Sequence, residues 1–264
     1  MRRFAALLVL PLALVACGGS DTTSLDPVAD AATKTSDVAS ARFQIDMTLT
    51  DPDTGGPLHM RGPGVIADHG HLMQMTLHLD KTKETPAFTM DGILTDDAMY
   101  LRSRLFQIAM PPGKEWLKAT EDDPVGEIGQ NDPGQMLDFL RGAGSVTNIG
   151  SATVRGVTTT KYRARIVLDK VVEKIPEERR ARVEHAIDVL HTVGVDEVPM
   201  TVWVDDEDLV RRMTMNWVVK NPDKPSDRFE LKATMELFDF GTQAQVVLPP
   251  ASKTMPYDKF VGGG

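Results

Sequence analysis

The chain has 264 residues, 41% hydrophobic and 25% charged, with 38 acidic side chains against 29 basic and a formal charge of −9. That balance excludes a nucleic-acid partner and a surface made to lie flat on anionic lipid. A single cysteine excludes an internal disulfide, so the fold is held by its core.

The chain opens with basic Met1-Arg2-Arg3 and an apolar run over 4–14. As a helix that run rises about 16 Å, against about 30 Å of membrane hydrocarbon. Pro11 interrupts it as well, so it reads as a signal-peptide core and not as a membrane span. Leu14-Val15-Ala16-Cys17 resembles a bacterial lipobox, in which the cysteine receives a diacylglyceryl group and becomes the first mature residue. Residues 1–16 are therefore expected to be a signal peptide, Cys17 the lipidation site and 17–24 a flexible tether of small polar residues. The expected location is extracytoplasmic, lipid-anchored to the outer face of the cell membrane, because two or more acyl chains give stable attachment. One further domain over 25–250 and a C-terminal tail over 251–264 complete the expected organisation.

Residues 25–41 read as a helix, capped by Ser24 or Asp26. Period-two alternation then takes over, with Phe43, Ile45, Met47 and Leu49 on one face. Asp51 to Pro57 is a turn by composition, and Leu58 and Met60 begin a return strand. Met73, Met75, Leu77 and Leu79 mark another, and Phe88/Met90 and Met99/Leu101 mark shorter ones. A broken stretch over 107–134 leads to a helix through Arg141, with Asp132 at its N-cap, Pro133 at N1, and Gly142 and Gly144 ending it.

Residues 152–168 hold two short strands, with Tyr162, Ala164, Ile166 and Leu168 on one face. An amphipathic helix follows over 176–191, striped by Val183, Ile187 and Leu190. Three long strands close the domain. Val198, Met200, Val202 and Val204 lead into the acidic turn Asp205–Asp208, read as a hairpin whose charge blocks edge pairing. Met213, Met215, Trp217 and Val219 alternate with polar residues, as do Phe229, Leu231, Ala233, Met235 and Leu237. The fold class is α+β and mostly antiparallel, with about nine to eleven strands whose apolar face must roll up or be covered.

The candidate chemistry is sparse. His59, His69, His71 and His78 form the one histidine cluster and could in principle hold a metal, but no carboxylate or cysteine completes a recognisable spacing. No nucleophile elbow, phosphate loop, dinucleotide fingerprint or zinc-protease motif occurs. The expectation is a protein without enzyme activity, metal or cofactor.

The 14 methionines are the unusual feature. Strand interiors favour β-branched and aromatic side chains, whereas methionine is unbranched and adapts to varied shapes. Two readings stand: a core that is merely methionine-rich, or a pliable cavity for acyl chains. On the second, alternation places Phe43, Ile45, Met47, Met73, Met75, Leu77, Met90 and Met99 along the lining. The later strands add Met200, Val202, Met213, Met215, Trp217, Phe229, Leu231 and Met235.

"SARFQIDMTL", "DPGQMLDFLRGAGSVTNIGSATVRGVTTTKYRARIVL" and "VPMTVWVDDEDLVRRMTMNW" resemble the actinobacterial LppX/LprAFG lipoproteins, with Val154–Ala164 the most specific stretch. The resemblance implies a strongly curved half-barrel sheet with helices over its concave face, similar to the LolA/LolB carriers. It implies an acyl lipid or glycolipid as ligand, transfer within the cell envelope, and an envelope transporter as a possible partner. The rivals are an envelope assembly protein with a filled core and, less favoured, a metal-dependent hydrolase using the His59–His78 region.

Overall fold

The computed structural model describes residues 26–50, 56–83, 86–120, 123, 133–175, 177–192, 194–220, 224 and 228–262. The signal peptide, Cys17, the tether and the Asp132 cap lie outside them.

Helix α1, Pro27–Ser36, starts where Asp26 accepts a hydrogen bond from the Ala29 N–H (3.0 Å), with Pro27 at the first helical position. It stops five residues short of the expected end, because Ala41 is already paired in a strand. Strands β1 (Ala41–Thr50), β2 (Leu58–Ala67), β3 (Leu72–Leu79), β4 (Phe88–Thr95) and β5 (Met99–Ser103) run as an antiparallel meander. The short helix α2, Arg104–Gln107, and strand β6, Trp116–Ala119, follow. Helix α3, Pro133–Leu140, leads into β7 (Ala143–Val154) and β8 (Val157–Val167). Helices α4 (Leu168–Lys174) and α5 (Glu177–Thr192) come next, and then β9 (Glu197–Val204), β10 (Val210–Lys220) and β11 (Arg228–Phe238).

With a last strand β12 (Thr254–Pro256), β11 pairs with β1 and so joins both halves of the chain into one curved, unclosed sheet, ordered β12-β6-β5-β4-β3-β2-β1-β11-β10-β9-β8-β7. The outermost strand, β12, comes from the segment expected to be a tail. It pairs in parallel with β6, and helix α6, Tyr257–Val261, turns back from it. Residues 251–261 are thus part of the domain, tied on by Lys114, whose Nζ donates to the Thr254 carbonyl at 2.7 Å.

The curvature has a local cause at Gly62-Pro63-Gly64 in β2. A side chain at 62 would meet the Thr76 carbonyl oxygen at 1.7 Å, so β3 closes over this point as only glycine allows.

Helices α1, α3, α4 and α5 all pack on one face of the sheet, and their buried residues join those of the strands in one cluster. Thr35 at the end of α1 fixes this layer: its buried hydroxyl donates to the Ala31 carbonyl and accepts from the Val210 N–H at 2.9 Å.

The outer face is not strictly polar, as alternation suggested. Trp203, Trp116 and Phe238 lie there under cations, with Arg155 3.9 Å from the Phe238 ring centroid and Arg102 4.6 Å from that of Trp116. The Asp205–Asp208 turn is a hairpin, but β9 and β10 are interior strands, so it guards no edge. Instead Asp205 holds the turn, accepting from the Glu207 and Leu209 N–H groups at 3.0 and 2.8 Å and pairing with Arg211.

Candidate functional site

The helix-covered face is a set of cross-strand rows. One runs Ser103, Met90, Leu77, then Ile45, Met235, Met213, Val202 and Tyr162. The next runs Phe88, Leu79, Met60, Met47, Ala233, Met215, Met200 and Ala164. A third brings together Leu58, Leu49, Leu231 and Trp217. The sixteen residues expected to line a cavity do share this face, joined from both halves of the chain.

They do not share one environment. Phe43, Val202, Met213 and Met235 are 0% exposed and Met73 and Met200 nearly so, which means that no space large enough for a water touches the first four. Those six are packed core beneath the helices, and the expectation that they line a void is corrected. Ile45, Leu77 and Met215 are almost as buried. Between the end of α1 and Leu237 the remaining gap is about 20 Å³, room for a single water.

Toward the opposite end of the strands the cover fails. Met47, Met60, Met90, Trp217, Phe229 and Leu231 are only partly buried there, together with Leu49, Leu58 and Phe88, which alternation had placed on the face but not in the lining; Met75 and Met99 are also partly buried but lie at the other end, in the rows of Phe43 and Ala41. The Trp217 indole Nε1 is buried there without a hydrogen-bond partner. An unsatisfied buried N–H costs about 1–3 kcal/mol, so the fold bears a local cost at this end. The tryptophan was legible as an apolar position, but its idle donor was not.

The histidines do not converge. His59 meets Thr48 (3.0 Å), His69 the Asp37 carbonyl (3.0 Å), His71 the Asp96 carboxylate (2.9 Å) and His78 Thr89 (3.1 Å). Among the described residues no group of three His, Cys, Asp or Glu side chains is placed to hold a metal ion. No helix among them is long and apolar enough to cross a membrane.

On the outer face one carboxylate sits between two arginines. Glu236 accepts from Arg155 at 2.7 Å and from Arg212. Burial alone would raise its pKa, but the two guanidinium groups outweigh burial and hold it below the ordinary glutamate value. Asp26 goes the other way: burial raises its pKa, and the Ala29 N–H and Lys174 offset this only in part. A depression of about 340 Å³ beside Arg155 and Arg211 has both guanidinium groups already engaged by carboxylates.

No family model matches the chain. A curated relative, described as an uncharacterized 31.2 kDa protein in the rplA-rplJ intergenic region of Streptomyces griseus, is 23% identical over 163 residues. That match takes in 58% of this chain and about half, 51%, of the relative. Among solved structures the chain is similar to LprF from Mycobacterium bovis, at TM-score 0.46 and 14% identity, over 84% of this chain and 95% of that one. It is also similar to the Mycobacterium tuberculosis lipoprotein LppX, at TM-score 0.43 and 13% identity, over 84% and 94%. A LolA superfamily protein from Nitrosomonas europaea aligns at TM-score 0.29 and 6% identity, over 83% and 94%.

Proposed function

We propose that this protein is an extracytoplasmic lipoprotein, anchored through Cys17, that takes the acyl chains of a lipid or glycolipid against the open end of its helix-covered face and passes them on within the cell envelope. The role is binding and transfer, without catalysis. The observation that carries the reading is the unfinished end of that face, where Trp217 with its unpaired N–H shares a row with half-buried Leu231, Leu49 and Leu58, and half-buried Met47 and Met60 lie in the next row. Each methylene taken from water is worth about 0.8 kcal/mol, so two acyl chains need few polar contacts. Methionines fit chains of differing shape better than branched side chains do. An ester or amide carbonyl would satisfy Trp217. The packed half then acts as a rigid floor, and the open half as the contact surface.

A second reading, an envelope assembly protein with a filled core, is favoured by the complete burial of Phe43, Met213 and Met235. Native mass spectrometry of the full chain, extracted from a host with a cell envelope, separates the two. Lipid binding predicts a co-purifying acyl-lipid mass; an empty protein that also refuses a fluorescent fatty acid would leave the assembly reading.

A further inference from the structure

Among the described residues few large apolar side chains are exposed, and three of them, Leu105, Ile108 and Val261, belong to two segments that the Phe106–Phe260 contact brings together. Helix α2 leaves β5 on the same side of the sheet as Leu49, Leu58 and Trp217, the end where cover of the apolar face fails. Just there Ile108 is 84% exposed and Leu105 41%. The Phe106 ring meets Phe260 of α6 edge-on at 6.2 Å, and Val261, 59% exposed, extends the patch from the C-terminal segment. Scattered apolar residues on a surface mean little, but a contiguous group on a built junction marks a contact site.

The charge around it is reversed from the rest of the molecule. Residues 104–118 and 250–262 carry five basic side chains, Arg104, Lys114, Lys118, Lys253 and Lys259, against two acidic ones, Glu115 and Asp258, in a chain with an acidic excess overall. Arg104 and Lys259 are exposed beside the apolar side chains, and Glu115 is occupied by Lys253 at 2.7 Å. Apolar side chains that can enter the acyl boundary, flanked by the exposed cations Arg104 and Lys259, complement an anionic bilayer. An acidic protein partner would match the charge, but would leave unexplained why the patch borders the open end of an apolar face.

We infer that the Leu105/Ile108 knob, with Phe106, Phe260 and Val261, docks on the surface of an anionic lipid bilayer and sets the open end of the apolar face against it. The inference rests on the lipid-binding reading for its purpose, although docking itself is measured separately. It is local: the overall acidic charge keeps the remaining surface off the membrane, so the protein meets lipid tip-first.

The test uses the full chain with Cys17→Ser, labelled with an environment-sensitive NBD dye at Ile108→Cys or, as a control at the opposite end of the sheet, at Asp206→Cys. Vesicles of phosphatidylcholine with 30% phosphatidylglycerol are added. Docking predicts a blue shift and quenching by acyl-chain spin labels at 108, unchanged emission at 206, and roughly tenfold weaker binding to vesicles without phosphatidylglycerol. Comparing two positions separates this contact from any insertion by the N-terminus. Leu105→Asp with Ile108→Asp should slow lipid delivery to vesicles about tenfold while the bound-lipid mass stays unchanged. Equal responses at 108 and 206 would overturn the inference, as would an Ile108-dependent dimer in light scattering with no vesicle contact. A chain that holds no lipid yet buries position 108 would sink the lipid-carrier reading and leave docking standing.

Discussion

The ring of Phe43 occupies the place that a side chain at position 64 would need. A Cβ built on Gly64 falls 2.1 Å from the Phe43 Cζ, and the two residues face each other across β1 and β2. This fit lets the sheet bend at the Gly62-Pro63-Gly64 corner while its concave side stays filled. Gly64→Ala should therefore cost about 1–3 kcal/mol in urea unfolding, the usual penalty for overpacking a core. Part of that should disappear on a Phe43→Leu background, where the ring is gone and only the Gln74 carbonyl oxygen, 2.8 Å from the same Cβ, still opposes it; additive losses would show that Phe43 and position 64 do not share the space.

The division of the face into packed and open halves gives contrasting mutants. Met213→Ala or Met235→Ala removes a fully buried side chain and should cost about 2–5 kcal/mol. Met60→Ala or Met90→Ala removes a half-buried one and should cost clearly less, about 1 kcal/mol. Uptake of a fluorescent fatty acid should move in the reverse order, weakened by the second pair and not by the first under conditions where all remain folded.

Alternation along β1, β3, β10 and β11 made the apolar face legible, because each side chain's direction follows from position parity alone. Depth along that face was not legible: Met213 and Met60 obey the same pattern, but one lies under the helices and the other beyond their reach. Strand β7 was read as shorter than it is because irregularities in its pairing near Ala143–Ser145 and Asn148–Ser151 break the two-residue period. β12 was missed because three residues, one of them proline, carry no period, and its partner β6 lies more than a hundred residues away. The α2–α6 patch shares that cause, since only folding brings Phe106 to Phe260.

Thr35 anchors α1 to the start of β10 through one hydroxyl. Thr35→Val keeps the shape but leaves the buried Val210 N–H without its acceptor, which should cost about 1–3 kcal/mol. Hydrogen exchange at the Val210 amide should accelerate by more than the global loss of stability predicts.

Two carboxylates tie stability to pH in opposite senses. Glu236, with its pKa held down in the fold, contributes stability that is full at neutral pH and is lost as pH falls through and below the ordinary glutamate range. Asp26, with its pKa raised, binds its proton more tightly when folded, so its contribution falls as pH rises above the ordinary aspartate value. Glu236→Gln should be about 1–2 kcal/mol less stable than the parent at pH 7, and the gap should close in acid. Asp26→Asn, which keeps an oxygen for the Ala29 N–H, should gain stability at pH 7 relative to acid. Unfolding midpoints measured across pH 3–7 check both signs.

The central claim is that an acyl chain lies against Trp217 at the open end of the face. Trp116→Phe and Trp203→Phe together leave Trp217 as the one indole of the three. Titrating that full chain with a bromine-labelled fatty acid, whose heavy atom quenches indole fluorescence at contact, reads the site directly. Saturable quenching, relieved by unlabelled lipid and absent when Trp217→Phe removes the last indole, is the predicted result. A folded protein whose Trp217 emission ignores the brominated chain would contradict the account.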